Sequence, residues 1–175
     1  MGLTREQAIT EHRKMWNWIA DQLEMYPCDD KCEVNIHLLK AKYCKVNGFT
    51  NEKKGKPRHY CFCCQYAFLS CDCRECPLYW GTENSTKDYF CENGMKYANT
   101  NKDVGLWSIL YNVNLTYKEA AEIARQIADL PVKIYQNKEN GNFHFTYTEM
   151  YKEVNELYGF NGWFDWKEYY DVKPL

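Results

Sequence analysis

Six of the ten cysteines lie within sixteen positions, between residues 61 and 76. Two C-x2-C pairs can be taken from this segment, Cys61 with Cys64 and Cys73 with Cys76. Each pair places two thiolates on one edge of a tetrahedron, and two such pairs on facing arms complete a four-thiolate zinc site. Four thiolates leave no open position for a catalytic water, which indicates a structural zinc ion. We therefore predict Cys61, Cys64, Cys73 and Cys76 as ligands of one structural Zn²⁺.

Other cysteines of the same segment could take the place of some of these ligands. Cys63 could replace Cys61 or Cys64, and Cys71 could replace Cys73. Two further candidates, His59 and Cys91, flank the segment. An iron–sulfur cluster would use the same thiolates.

A second metal site is conceivable upstream, where three cysteines and a histidine lie close in the sequence. The candidate residues are Cys28, Cys32, His37 and Cys44. The better interpretation is a helix face, because Cys32, Ile36, Leu39 and Tyr43 follow helical spacing and free cysteine is common in protein cores.

The expected cellular compartment favours metal binding over disulfide bonds for these cysteines. No run of about 18 apolar residues could span a membrane, and the N-terminal segment becomes charged by Arg5 without an apolar stretch typical of a signal peptide. We therefore expect a cytoplasmic protein, where thiols stay reduced. A chain of 175 residues that is 45% hydrophobic can build a core of its own.

Helix-start signals divide the N-terminal part into two helices. Thr4 and Gln7 form a capping box for a helix that runs to about Tyr26, before Pro27. Its apolar stripe includes His12, which we interpret as a histidine at the edge of the core rather than a ligand or a base. A second helix is predicted to start at Asp30 with Glu33 and to end near Asn47-Gly48.

The C-terminal part is predicted as helix, hairpin and helix. Asn114 or Thr116 opens the first helix, with Thr116 and Glu119 as its capping box. Thr146 with Glu149 opens the second, which should end at Gly159. A β-hairpin is predicted over residues 132–147, with Asn140-Gly141 at or near its turn.

The last stretch, GFNGWFDWKEYY, crowds six aromatic rings into twelve residues and should dock on the core of its own chain, with a second protomer or a ligand as alternatives. The predicted class is α+β: mainly helical, with a small β-hairpin and a zinc-knuckle module. We expect a single domain over residues 1–175, made of N-terminal helices (1–48), the zinc-knuckle module (58–92) and the helix–hairpin–helix part (105–175).

No common catalytic signature is present. The chain lacks a phosphate-binding G-x-x-x-x-G-K-[ST], an H-E-x-x-H and a G-x-S-x-G motif. The zinc-deaminase pattern also fails, because the proline follows the C-x-x-C and there is no H-x-E. We expect a binding protein rather than an enzyme.

A basic segment precedes the first cysteine pair and is the candidate ligand-binding region. Its residues are Lys53, Lys54, Lys56, Arg58 and His59. These cations could neutralise phosphate while Trp80 stacks on the ring of a nucleotide-like ligand. The alternative for the basic residues is an ordinary solvated loop.

Two macromolecular partners are the alternatives to a small ligand. A basic loop beside a four-cysteine knuckle is typical of nucleic-acid-binding zinc modules. The net charge of −2 weighs against a long nucleic acid, which would require a wider basic face. An adaptor that docks on a host protein through its aromatic C-terminus is the other alternative.

The segments CFCCQYA and CRECPLYW, preceded by EHRKMWNWIA, resemble small cysteine-rich proteins of unassigned role that bacteriophages encode. The resemblance covers residues 11–20 and 60–80. It implies a non-enzymatic and oligomeric accessory protein in the host cytoplasm. Proteins of this kind include sponges that sequester nucleotide immune signals and so counter host defence.

Overall fold

The computed structural model describes residues 2–49, 61–67, 73–80, 110, 114–159 and 165–175. In chain order, the elements in these ranges are α1 (Arg5–Glu24), α2 (Ile36–Val46), α3 (Phe62–Ala67), a 3-10 turn (Cys73–Glu75), α4 (Tyr117–Ala128), β1 (Lys133–Asn137), β2 (Phe143–His144), α5 (Tyr147–Tyr158), a second 3-10 turn (Trp166–Glu168) and β3 (Tyr170–Pro174). The predicted α+β class is confirmed. A zinc knuckle is not shown by the described residues.

Helix α1 begins and ends where its capping signals indicate. The hydroxyl of Thr4 accepts a hydrogen bond from the Gln7 amide at 3.2 Å, and the Gln7 side chain accepts from the Thr4 amide at 2.9 Å. Most of the predicted stripe is buried, namely Ala8, His12, Met15, Ile19 and Leu23. Tyr26, the last member of that stripe, lies beyond the helix and is 47% exposed.

The predicted start of the second helix is wrong. Helix α2 begins at Ile36, with Asn35 as its N-cap, rather than at Asp30. Its predicted end is confirmed, because Asn47 is the C-cap and Gly48 adopts a φ of +77°.

The residues around Asp30 form a turn instead of a helix, and their carbonyl groups face another helix. The carbonyl oxygens of Asp30 and Cys28 accept hydrogen bonds from the amides of Tyr117 and Lys118, at 3.0 and 3.1 Å. These amides lie in the first turn of α4, where no intrahelical acceptor exists. The connection between α1 and α2 thus completes the cap of α4.

The hairpin prediction is confirmed and a third strand joins it. Strand β1 pairs with β2 on one side and with β3 on the other, both antiparallel, in the order β2-β1-β3. Gly141 in the hairpin turn has a φ of +76°, which suits glycine. The β3 strand was not predicted.

Two apolar clusters form the interior. The larger one joins α1, α2, α3 and α4, and its members include Trp16, Phe62 and Ile123. The smaller one lies between the sheet and α5 and includes Tyr135 and Met150. Trp166 and Tyr170 belong to the smaller cluster, so this part of the aromatic C-terminus docks on its own chain as expected. Among the described helices, none has the length and apolarity needed to cross a membrane.

Candidate metal centre

The first cysteine arm is held against α1. Cys61 immediately precedes α3, and its sulfur accepts a hydrogen bond from the Cys64 amide at 3.4 Å. Cys63 is buried in the first turn of α3, and its sulfur lies 3.9 Å from the carbonyl oxygen of Ala8 in α1. Because the side chain of Phe62 is fully buried in the main core, this arm has a fixed orientation.

The second arm is held by the sheet and by α5. The carbonyl oxygen of Arg74 accepts two hydrogen bonds, from Nζ of Lys133 and from the hydroxyl of Tyr135, each at 2.6 Å. The carboxylate of Glu75 accepts from the amide and the hydroxyl of Thr148, at 2.8 and 2.6 Å. A carboxylate is favourable at this position, because Thr148 lies in the first turn of α5. The turn that carries Cys76 is therefore fixed from two sides.

The two arms bring four thiols together in pairs. A hydrogen bond from Cys64, followed by the neighbouring His12 and Lys40, outweighs burial and lowers the pKa of Cys61 well below its ordinary value. A hydrogen bond from Cys63, followed by the nearby Lys133, lowers the pKa of Cys76 to about 6.

The pKa of Cys63 is shifted in the opposite direction. Burial, followed by the hydrogen bond to Cys76, raises the pKa of the Cys63 thiol well above its ordinary value. In each of the contacting pairs, one sulfur thus has a lowered pKa, which favours its thiolate form. Thiolates are the form in which cysteine binds metals.

His12 completes one side of this cluster. Its imidazole is 1% exposed, and Nε2 lies 3.0 Å from the carbonyl oxygen of Ile127 in α4. The edges and faces of Trp16 and Trp80 enclose the ring, with centroids 6.3 and 6.4 Å away. The same imidazole interacts with the Cys61 sulfur.

Two buried lysines lie beside the thiolates. Lys40 of α2 is 0% exposed, and its Nζ lies 4.6 Å from the ring centroid of Trp16. Lys133 of β1 is 2% exposed. Buried ammonium groups are costly without compensating negative charge. The positive charge of Lys40 contributes to the lowered pKa of Cys61, and that of Lys133 contributes to the lowered pKa of Cys76.

The described residues do not form a finished coordination sphere. Within the described ranges, no three side chains of His, Cys, Asp or Glu converge as a group that could hold a metal ion. Of the four predicted ligands, Cys61, Cys64 and Cys76 lie in the cluster. Cys73 is the first residue of the 3-10 turn, and its side chain lies outside the described residues. The donors present nevertheless suit zinc chemically, because thiolate sulfur and imidazole nitrogen are its preferred ligands.

Of the alternative metal ligands, the structure describes only one. Cys63 lies in the cluster, whereas His59, Cys71 and Cys91 lie outside the described residues. Seven described cysteines are outside any disulfide bond: Cys28, Cys32, Cys44, Cys61, Cys63, Cys64 and Cys76.

The upstream residues do not gather as a second metal site in the described part of the chain. Cys44 is fully buried in the main core and Cys32 packs against that core. Burial raises the pKa of the Cys32 thiol. Cys28 and His37 are exposed. Cys32 and Cys44 therefore contribute to apolar packing, but the predicted helix face is wrong for Cys32, because α2 begins only at Ile36.

The predicted ligand-binding residues fall into two groups. The basic residues lie outside the described residues; they are Lys53, Lys54, Lys56, Arg58 and His59. Trp80 is described, and it is 5% exposed as a member of the main core. Its ring and that of His12 are nearly perpendicular, and its burial leaves little surface for stacking on a ligand.

Sequence reasoning missed or set aside three residues of this cluster. His12 was interpreted as a residue at the edge of the core, and the lysines were not considered. A signal for them exists, because Lys40 lies on the helix face shared by Ile36 and Cys44 and Lys133 interrupts an apolar strand. A lysine within an apolar pattern indicates a buried charge that requires a partner.

Neither the family models, nor the curated proteins, nor the solved structures compared with this chain include a match. The cysteine cluster and its surroundings are therefore the basis on which a function can be inferred.

Proposed function

We propose that this chain is a non-catalytic binding protein whose two cysteine arms are joined by a structural zinc ion. The observation that carries the proposal is the contact between the arms, where the thiol of Cys63 meets that of Cys76. The arms belong to separate parts of the fold, since α1 holds one and the sheet with α5 holds the other. A zinc ion between them would act as a cross-link inside the protein.

The lysines beside the cluster support this proposal. A metal site with three or four thiolates carries a net negative charge, because Zn²⁺ neutralises only two of them. Lys40 and Lys133 would offset that charge from within the protein.

The binding role itself is proposed for a nucleotide-like small molecule. It is supported by the basic segment 53–59, which precedes the first arm in the sequence, and by the resemblance to phage-encoded cysteine-rich proteins, among which counter-defence sponges are found. Trp80 is not part of this proposal because it is buried. The alternatives are a nucleic acid or a host protein, bound by a zinc-containing adaptor.

Native mass spectrometry of the full-length protein, purified from phage-infected or defence-activated cells, tests both parts of the proposal. Spectra before and after denaturation report the zinc content, the number of subunits and any retained small molecule. One zinc ion per chain together with a nucleotide mass supports the proposal. Zinc without a small molecule contradicts the nucleotide part and favours a macromolecular partner. Absence of zinc contradicts the structural part.

A charge variant distinguishes a nucleotide bound at the basic segment from one bound elsewhere. In this variant, alanine replaces Lys53, Lys54, Lys56 and Arg58. The matched control replaces four exposed lysines far from the segment in the sequence, namely Lys118, Lys138, Lys152 and Lys173. Loss of the retained nucleotide only in the first variant supports the basic segment as the phosphate site, and equal retention in both variants contradicts it.

A further inference from the structure

Helix α2 carries apolar side chains on two opposite faces. Its inner face packs into the main core and includes Ile36, Tyr43 and Cys44. On its outer face, Leu38 is 68% exposed and Val46 is 72% exposed. These two residues are about two turns apart and lie on the same side of the helix. A surface helix usually exposes polar side chains on the side away from the core.

Helix α4 shows the usual pattern within the same protein. Its exposed positions are Lys118, Glu122 and Gln126, which are all polar and follow each other at intervals of four residues. Single exposed apolar residues are common on protein surfaces, whereas apolar residues gathered on one face indicate contact with another molecule. The outer face of α2 therefore has the character of a binding surface.

Two lysines lie on the same outer face and give it a positive charge. Lys42 and Lys45 follow Leu38 by about one and two turns, and both are exposed. Helix α2 contains neither Asp nor Glu. Neither lysine takes part in an ion pair with another residue that the structure describes. The charge of this face is thus complementary to an acidic partner.

A half-buried indole of α1 extends this face. The ring centroid of Trp18 lies 5.8 Å from Nζ of Lys42 and 5.7 Å from the ring centroid of the buried Tyr43. Contact with a buried ring gives Trp18 a fixed support beside the exposed lysine. Tryptophan is enriched among the residues that contribute most to binding at protein interfaces.

The chemistry of the face decides between possible occupants. A nucleic acid would pair its phosphates with the lysines, but phosphates would gain nothing from Leu38 and Val46. A second copy with its own α2 against this face would bring lysines together, and like charges across an interface are unfavourable. An acidic amphipathic helix satisfies both features, because helices dock through side chains spaced three and four residues apart.

We propose that the outer face of α2 is a docking surface for an acidic amphipathic helix of a partner protein. Its residues are Leu38, Lys42, Lys45 and Val46, with Trp18 of α1 beside them. This surface includes no residue of the basic segment or of the cysteine cluster, so the inference does not depend on zinc or on a nucleotide. It adds a protein partner to the proposed small ligand.

Fluorescence anisotropy with two designed peptides tests the charge of the occupant. Both peptides carry leucines at the a and d positions of a helical repeat, flanked by glutamates in one peptide and by lysines in the other. The acidic peptide should bind the full-length protein more than about tenfold more tightly than the basic one, and added salt should reduce this difference. Equal binding of the two peptides, or no binding of the acidic one, overturns the proposal.

A charge-reversed variant locates the binding surface. Lys42→Glu combined with Lys45→Glu should weaken binding of the acidic peptide by more than about tenfold. The matched control combines Lys118→Glu with Lys152→Glu, which changes the net charge equally on other helices. It should keep the affinity of the unchanged protein. Both variants alter exposed residues, so both should fold, and equal affinities of the two would rule out α2 as the binding surface.

Two serine variants distinguish a protein partner from the other occupants. Leu38→Ser and Val46→Ser should each weaken binding of the acidic peptide, because they remove apolar area that a helix would cover. Tighter binding of a single-stranded oligonucleotide, lost with the lysines but unaffected by these serines, would replace the proposal with a nucleic acid. A dimer in sedimentation velocity that dissociates in Leu38→Ser would show that a second copy occupies the face, which also overturns it.

Discussion

His12 of α1 and Ile127 of α4 are joined by a 3.0 Å hydrogen bond from imidazole Nε2 to a backbone carbonyl oxygen. Ile127 is one of the last residues of α4, where carbonyl oxygens lack an intrahelical donor four residues on. A side chain 115 positions away along the chain therefore helps to cap the end of this helix. The same side chain borders the cysteine cluster, so the helical core and the candidate metal centre share a residue.

Removal of zinc should destabilise the helical core as well as the cysteine arms. A ligand that binds only the folded state at about 1,000 times its dissociation constant stabilises that state by roughly 4 kcal/mol. We expect a strong chelator to lower the melting temperature followed by far-ultraviolet circular dichroism. Restoring zinc should reverse the change. A melting temperature that does not respond to the chelator would contradict the structural role of the metal.

Replacing Cys64 or Cys76 with serine should cause loss of zinc and unfold at least the cysteine arms. The reason is that the free energy of metal binding at such a site contributes directly to folding. Zinc content by elemental analysis and the melting temperature provide the two measurements. Cys28→Ser is the control, because Cys28 is exposed and lies outside the cluster. Full zinc content with an unchanged melting temperature in either cluster variant would show that the ligand set is wrong.

Tyr135→Phe should weaken the attachment of the second arm. The hydroxyl of this buried residue donates to the carbonyl oxygen of Arg74 at 2.6 Å. Because Lys133 still donates to the same oxygen, the expected cost is that of one ordinary hydrogen bond, about 1 kcal/mol. Urea unfolding measures the free energy. Tyr26→Phe, at a half-exposed ring, should change it by less than about 0.5 kcal/mol, and equal effects of the two variants would contradict the role of the Arg74 contact.

The carboxylate of Glu153 should make stability depend on pH. Burial alone would raise its pKa, but hydrogen bonds from Tyr170, His144 and Asn142 outweigh burial and lower the pKa below the ordinary 4.5. A lowered pKa in the folded state means that the stabilisation is present above pH 4.5. It is lost as the pH falls through the lowered value.

The measurement for this pH effect is the difference in unfolding free energy between the unchanged protein and Glu153→Gln. We expect the difference to be largest near neutral pH and to shrink below pH 4.5, the ordinary pKa of the group. Taking the difference removes pH effects that both proteins share, such as protonation of the cysteines. Glu156→Gln, at an exposed position of the same helix, should show no such trend. A difference that stays constant with pH would contradict the ionic role of Glu153.

Trp80→Ala should destabilise the protein rather than act on ligand binding alone. Truncation of a buried tryptophan in a core costs about 3–5 kcal/mol, and Trp80 is 5% exposed. Trp80→Phe should cost less, because it keeps an aromatic ring against His12 and removes an indole nitrogen that has no hydrogen-bond partner among the described residues. Denaturant unfolding distinguishes the variants. A Trp80→Ala protein of unchanged stability would favour the stacking role that the sequence suggested.

Local signals in the sequence determined much of the secondary structure. The capping boxes at Thr4, Thr116 and Thr146 all form as predicted, because their partners lie three residues away and require no tertiary contact. The glycines at positions 141 and 159 adopt the positive φ values expected of them. The start of α2 could not be predicted in this way, since the segment around Asp30 is recruited by the distant amide of Tyr117.

Strand pairing also has one part that local sequence predicts and one part that depends on tertiary structure. The β1–β2 hairpin follows from its short turn. Strand β3 also pairs with β1, although α5 and the second 3-10 turn lie between β2 and β3 in the sequence. No local pattern specifies a strand partner at that distance, because pairing depends on which sheet edge the folded core leaves available.

The cysteine spacing by itself identified the segment in which thiols gather, because C-x2-C pairs act locally. Only the tertiary structure decided which other groups surround them. His12, Lys40 and Lys133 come from three different elements and meet the thiols through the packing of α1, α2 and β1. Spacing cannot report such contacts, since burial and charge at a site depend on residues that are distant in sequence and close in space.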